Sequence, residues 1–323
     1  MTARVEIKNL YKTYTRRKWF FGAGESVPVL KDVSLTLPEN RVLGLVGESG
    51  CGKSTLCKVL LGIEEPTSGT VLVNGQDVTD KSSGARKQRC RAMQAVFQDP
   101  YSSLDPRMTV RQLLSEPLTI HGLYPNKTSR ETFLKELLTS VGLSESYLGR
   151  YPHEFSGGQR QRICIARALA LDPQILVADE PVSALDVSVQ AQILNLLRDI
   201  KSARKLSMIF VTHDFAVARF LCDDIAVMYQ GRIVEAASAD ELFSRPLHPY
   251  TKTLLAAVPQ VGRPLAASLA QTVGDVSGVS AGCAFAPRCA QAAQLCRQQE
   301  PIFKAAAPDH FCACVQLTQG ETK

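Results

Sequence analysis

Three short stretches of this sequence carry residue types and spacings that can act on a phosphate. The first is Gly47-Glu48-Ser49-Gly50-Cys51-Gly52-Lys53-Ser54-Thr55. It fits G-x-x-x-x-G-K-[ST], the phosphate loop. Gly47, Gly50 and Gly52 let backbone N–H groups approach phosphate oxygens, and a helix N-terminus after the loop adds partial positive charge. In this pattern Lys53 reaches the β- and γ-phosphates, Ser54 ligates Mg²⁺, and Ser49 and Thr55 belong to the same cradle. The second stretch is Ile175-Leu176-Val177-Ala178-Asp179-Glu180, an apolar strand ending in two carboxylates. Asp179 suits Mg²⁺ coordination through water. Glu180 suits a general base, or a group that orients water, for attack on a γ-phosphate. The third is Ser156-Gly157-Gly158-Gln159. A serine and two glycines at the start of a helix make a second anion site. Two γ-phosphate sites in one chain make sense if two chains meet head to tail.

These residues need elements to position them. Val42-Leu43-Gly44-Leu45-Val46 reads as a buried parallel strand. Residues 53–61 read as a helix with Leu56, Val59 and Leu60 on one face and Gly62 as its stop. Residues 5–10 and 29–37 alternate like half-buried strands, and residues 12–18 read as a basic loop before Trp19-Phe20-Phe21. Val71-Leu72-Val73 followed by Asn74-Gly75 predicts a tight hairpin. An antiparallel sheet should therefore stand beside the parallel one. Residues 107–120 and 129–141 have helical spacing and lie in a helical insertion of about residues 99–158. Core strands return at residues 175–178, 208–211 and 225–228, with a helix at 188–200 whose buried stripe is Val189, Ile193, Leu196, Leu197 and Ile200. Alternating strands and helices predict a doubly wound α/β core. Residues 246–264 bridge into a small appendage.

With 323 residues and 45% hydrophobic content, the chain can bury a sizeable core. A net charge of +6 is mild and does not argue for nucleic acid. No apolar run approaches the roughly 18 residues that span a bilayer, and residues 1–10 lack a signal-peptide apolar region. The expectation is a cytosolic chain, with any membrane role left to other subunits. Five of the ten cysteines follow residue 282, and a reducing compartment disfavours disulfides there.

Ser156-Gly157-Gly158-Gln159 resembles the signature motif of ABC transporter ATPases, and the family's other landmarks follow in order. Gln98 resembles the Q-loop glutamine, Ser183-Ala184-Leu185-Asp186 the D-loop, His213 the switch histidine and Tyr14 the aromatic that stacks on adenine. The resemblance covers roughly residues 5–240. It implies a P-loop NTPase (RecA-like) core with an antiparallel β subdomain, an inserted helical subdomain and a small cysteine-containing C-terminal extension. The implied division is a nucleotide-binding domain over residues 1–240 and an extension over 241–323. It implies ATP and Mg²⁺, the latter near Ser54, Gln98 and Asp179. It also implies two subunits sandwiching two ATP molecules, each site pairing one phosphate loop with the other chain's Ser156, Gly157 and Gly158. Lys53, Glu180 and His213 are the implied catalytic groups. The insertion, from Leu104-Asp105-Pro106-Arg107 onward, is where the family receives a helix of the membrane subunit.

The tail narrows the resemblance. His248-Pro249-Tyr250-Thr251 and Gly282-Cys283-Ala284-Phe285, then Arg288-Cys289 and Cys296, are similar to the C-terminal extension of the oligopeptide/dipeptide/nickel importer ATPases. His310-Phe311-Cys312-Ala313-Cys314-Val315 matches the group's terminal pattern with Cys314 on the family cysteine, Val315 in place of a histidine and Cys312 extra. In some relatives these positions hold a [4Fe–4S] cluster, here Cys283, Cys289, Cys296 and Cys314. Gaps of five, six and seventeen residues are not those of a zinc finger. A cluster, another metal and packed free thiols all stay open. The implied activity is ATP hydrolysis driving import of di- or oligopeptides, or of nickel or metal chelates. The implied partners are a second, related ATPase, two membrane permeases and a solute-binding protein, with this chain peripheral on the cytoplasmic face of a bacterial inner membrane. An exporter ATPase and an ABC ATPase working on DNA or ribosomes are the rivals. The tail argues against the first, and a single phosphate loop without long heptads against the second.

Overall fold

The computed structural model describes residues 3–16, 25–79, 82–257 and 282–318. Strands β1 (Ala3–Arg16) and β2 (Glu25–Pro38) come first, then β3 (Val42–Val46) and helix α1 (Lys53–Leu60). The hairpin β4 (Ser68–Val73) and β5 (Gln76–Asp77), helix α2 (Ser83–Ala92) and β6 (Met93–Val96) follow. The insertion carries α3 (Pro100–Ser103), α4 (Val110–Ile120) and α5 (Lys127–Ser140), and α6 (Gly157–Leu169) returns to the core. Next are β7 (Ile175–Asp179), α7 (Val187–Arg204), β8 (Ser207–Thr212), α8 (Phe215–Leu221), β9 (Asp224–Tyr229) and β10 (Arg232–Ser238). The described residues end with α9 (Ala239–Ser244), α10 (Pro249–Ala256), α11 (Gln294–Gln298), β11 (Lys304–Ala307) and β12 (His310–Cys312).

Two sheets form. One is antiparallel, in the order β2-β1-β4-β5, and the other has eight strands in the order β11-β12-β10-β9-β3-β8-β7-β6. Strand β3 runs parallel to both β8 and β9, and all five of its residues are buried. A central parallel strand is covered on both faces, so an unbroken apolar run is what it needs. Its side chains still alternate between two cores. Val42 and Val46 join Leu113, Leu134, Ile163 and Phe210 under the helical insertion. Leu43 and Leu45 join Val5, Leu30, Val71 and Ile209 under the antiparallel sheet.

Several sequence expectations change in detail. The expected basic loop at residues 12–18 is strand as far as Arg16. Lys12 belongs there because its ammonium reaches the Glu64 carboxylate at 2.9 Å and the Glu65 carbonyl at 2.7 Å. Residues 17–24, with Trp19-Phe20-Phe21, lie outside the described residues, as do residues 258–281. Helix α4 starts at Val110 rather than at 107, because Thr109 and Gln112 close a capping box. Arg107 sits in the preceding turn, where Asp105 accepts from its backbone and its guanidinium. In α7 the buried stripe is Ile193, Leu194, Leu197 and Ile200, with Val189 and Leu196 only partly covered. The sequence predicts a small appendage for the tail, yet β12 pairs with β10 (Glu235 opposite Cys312, Ala236 opposite Phe311) and extends the core sheet.

Candidate active site

The phosphate loop leaves the carboxyl end of β3, the usual place for ligands in an open parallel sheet. Gly50 (φ 80°) and Gly52 (φ 112°) take left-handed backbone that a side chain would strain. Gly47 has no room for one either, since a Cβ there would stand 2.2 Å from the Met228 carbonyl oxygen. The Gly231 N–H donates to the Cys51 carbonyl at 2.8 Å and ties the loop to the β9–β10 turn. No side chain caps α1, so its first amides stay free for an anion. Lys53 is buried, and its Nζ donates to the carbonyls of Gly47 (2.8 Å) and Glu48 (2.9 Å). Ser49, Ser54 and Thr55 line the same turn, with Ser49 and Ser54 exposed.

Asp179 ends β7 beside α1 and is hydrogen-bonded to Ser54. Burial raises the Asp179 carboxyl, Glu180 pushes it the same way, and the Ser54 bond and Lys53 oppose them. A hydroxyl and a crowded carboxylate are the hard oxygen donors a magnesium ion takes. Glu180 follows in a left-handed conformation (φ 47°), rare for a glutamate. Its amide donates to the Val211 carbonyl (3.0 Å), and the Ser183 hydroxyl donates to its carbonyl (3.0 Å). This locked turn puts Glu180 Oε2 3.1 Å from Nδ1 of His213, which is exposed just past β8. The structure thus joins Lys53, Ser54, Asp179, Glu180 and His213 around one loop.

The remaining expected residues sit apart. Gln98 is exposed after β6, at the hinge into the helical insertion, and Asp186 is exposed ahead of α7. Tyr14 is on β1 opposite Val27, with the Lys12 ammonium 4.7 Å from its ring centre. Ser156 caps α6 in a capping box with Gln159. Gly158 is needed for packing, because a Cβ there would meet Val189 Cγ1 at 2.4 Å. Among the described residues no hydrogen bond joins Ser156, Gly157, Gly158 or Gln159 to the phosphate loop.

Two contacts at the loop were not legible in the motifs. Arg288 pairs with Glu48 through both nitrogens (2.9 and 2.8 Å), and the Glu48 N–H donates to the Tyr250 hydroxyl at 3.1 Å. Both partners come from the tail. The tail motifs His248-Pro249-Tyr250 and Arg288-Cys289 are the sequence signals for these residues, and neither says where its side chain points.

The four cysteines of the expected cluster share one small lobe. The Cys283 N–H donates to the Cys296 carbonyl at 2.7 Å, and Cys283 and Cys289 each feel the charge of Cys296 and Cys314. Even so, among the described residues no group of three or more His, Cys, Asp or Glu side chains could hold a metal ion. Burial, with the charge of Cys296 and Cys314, pushes the Cys283 and Cys289 thiols up. Cys296 packs with Ala286 and Val315 as an apolar group. The side-chain placement gives the iron–sulfur expectation no support.

Residues 30–183 match the family model for ABC transporter, and residues 234–296 match that for the oligopeptide/dipeptide transporter C-terminal region. The chain is similar to the oligopeptide transport ATP-binding protein AppF of Bacillus subtilis, 43% identical over 96% of each chain. It is likewise similar to the dipeptide transport ATP-binding protein DppF of Haemophilus influenzae, 43% identical over 95% of each. One similar solved structure is a dimeric post-hydrolysis state of the ATP-binding cassette MJ0796 bound to ADP and Pi. It has a TM-score of 0.64 and 31% identity, covering 73% of this chain and 98% of that one. Another is cbiO1 from Clostridium perfringens, part of the ABC transporter complex cbiONQ, with a TM-score of 0.65 and 26% identity over 76% of this chain and 92% of that one. Near-full-length identity at this level, on a chain whose phosphate loop, Asp179, Glu180 and His213 converge, means that it belongs to the ABC transporter ATPases that carry an oligopeptide/dipeptide-transporter C-terminal region.

Proposed function

We propose that this chain is the ATP-hydrolysing subunit of a binding-protein-dependent importer of di- or oligopeptides. The observation that carries this is the Glu180–His213 pair beside Lys53 and Ser54, in a chain whose full-length relatives are named for peptide transport. Residues 1–240 bind and hydrolyse ATP, and residues 241–323 form the extension. Tyr14 stacks on the adenine. The amides of Gly47, Ser49, Gly50 and Gly52 and the Lys53 ammonium hold the phosphates, with Thr55 beside them. Ser54, Asp179 and Gln98 would hold Mg²⁺, which would supply positive charge against the charge that develops on the phosphates. To reach the phosphates, Lys53 exchanges its two carbonyl partners for phosphate oxygens. Glu180 orients water and accepts its proton; His213 holds the Glu180 carboxylate and stabilises the γ-phosphate.

The second half of each site comes from another chain, as Ser156, Gly157, Gly158 and Gln159 with Asp186 are separate from this chain's own loop. A related but different ATPase is the partner we favour over a second copy. Two membrane permeases and a solute-binding protein complete the importer, and this chain is peripheral on the cytoplasmic face. Among the described residues no helix is long and apolar enough to cross a membrane. A cleft of about 340 Å³ next to Phe97, lined by Leu61, Pro117 and Ile120 together with Arg89, Glu116 and Arg167, suits an amphipathic helix of the permease. Phe97 and Ile120 are exposed there, whereas Leu104 is buried and cannot dock a partner. No iron–sulfur cluster enters this reading, and no redox step is needed.

The test is reconstitution in proteoliposomes with the permeases and binding protein encoded alongside this chain. Peptide-stimulated ATP hydrolysis with uptake of labelled dipeptide is expected. Uptake of nickel or a metal chelate without peptide uptake would overturn the substrate, and ATP hydrolysis by the complete complex that drives no solute uptake would overturn the importer.

A further inference from the structure

We propose that the C-terminal extension is a working part of the ATP site, with Arg288 and Tyr250 as positioning residues that hold the phosphate loop through Glu48. All three polar groups of Glu48 are taken. Arg288 binds its carboxylate in a bidentate pair (2.9 and 2.8 Å), the Tyr250 hydroxyl accepts from its amide (3.1 Å), and Lys53 donates to its carbonyl (2.9 Å). The first two partners belong to the extension, while the third is the residue that must reach the phosphates.

Two consequences follow for nucleotide binding. A carboxylate inside a phosphate loop repels the polyphosphate the loop must hold, and a bidentate guanidinium cancels that charge. The Glu48 amide, fixed on Tyr250, also sets the direction in which the following amides of Ser49 and Gly50 point. Preorganised donors of this kind bind an anion without first having to order themselves.

The tether is itself well anchored. Tyr250 is fully buried, with ring centres 4.6 Å from Tyr229 and 5.4 Å from Phe285. It lies in the first turn of α10, where Pro249 starts the helix and Nδ1 of His248 accepts from the Tyr250 amide at 3.1 Å. The His248 amide in turn donates to Glu235 on β10 at 3.0 Å. Arg288 ends a single 3₁₀ turn (Ala286–Arg288) that starts at Phe285, and its guanidinium is 5.8 Å from that ring's centre. A run of contacts thus leads from β10 to the phosphate loop.

The experiment measures MgATP and MgADP affinity, KM and kcat on the full chain in its transporter complex, with the melting temperature of each variant. Arg288→Ala, which leaves the Glu48 charge bare, should raise both dissociation constants and KM about ten-fold and change kcat less. Tyr250→Phe, nearly isosteric, should raise them a few-fold, whereas Glu48→Gln, which leaves the Arg288 charge uncompensated beside the polyphosphate, should lower them. The exchange Glu48→Arg with Arg288→Glu should recover the affinity that Arg288→Glu alone loses, while the melting temperatures of the two variants stay alike. Wild-type affinity and KM in both Glu48→Gln and Tyr250→Phe would overturn the proposal, even if Arg288→Ala fails to fold. Additive losses in the exchange variant would overturn it as well.

Discussion

Glu235 holds three parts of the chain together, and replacing it by leucine should show how strongly. It is fully buried on β10. Its carboxylate accepts from the Leu247 amide (2.6 Å), the His248 amide (3.0 Å) and Nε2 of His310 (2.8 Å). Those donors belong to the segment entering α10 and to β12. A leucine of similar volume leaves all three without an acceptor in a dry site. Each stranded donor costs about 1–3 kcal/mol. Removing a buried carboxylate returns part of this, so a net loss of about 3–5 kcal/mol is expected, against a usual total of about 5–15 kcal/mol. Glu235→Gln keeps one carbonyl acceptor and should lose about half as much. Urea unfolding measures the loss, and limited trypsin digestion reads it locally, because residues 282–318 should be cut first, at sites such as Arg288 and Arg297. The reasoning is refuted if Glu235→Leu costs less than about 1 kcal/mol and the tail is cut at the wild-type rate.

Glu180→Gln should lower ATP turnover by roughly 10²–10⁴ while MgATP still binds, as expected for loss of a general base; near-normal turnover would remove Glu180 from that role. Gly47→Ala should destabilise the fold by more than about 2 kcal/mol and weaken nucleotide binding, because its Cβ would meet a backbone oxygen at 2.2 Å that cannot move aside. A folded, fully active Gly47→Ala protein would contradict this. Burial, with a smaller push from Lys252, lowers His248 from 6.5 to about 4. The unfolded chain then binds a proton that the folded chain refuses. Stability should therefore be complete above pH 6.5 and fall towards pH 4 by up to about 3 kcal/mol. His248→Asn, which keeps a capping acceptor and does not titrate, should flatten thermal stability across that range; parallel profiles for the two proteins would refute the assignment.

The sequence alone determined the chemistry at the phosphate loop, because the relevant signals are local. A glycine loop between an apolar strand and a helix needs only nine adjacent residues, Gly47 to Thr55, to declare itself. The continuous apolar runs of β3, β7, β8 and β9 announced a sheet covered on both faces. Asp179, Glu180 and His213 were readable as residues at strand ends, though not their 3.1 Å approach, since that depends on β7 and β8 lying side by side. Element ends were less legible where a cap or ion pair overrides composition, as at Thr109 for α4 and Lys12 for β1. Only the tertiary structure decided the role of the tail. Glu48 and Arg288 are 240 positions apart, and Glu235 and His310 are 75 apart. Nothing local distinguishes such partners from solvated surface charges. They become a tether and a buried anchor only when β12 closes on β10 and brings the far end of the chain against the phosphate loop.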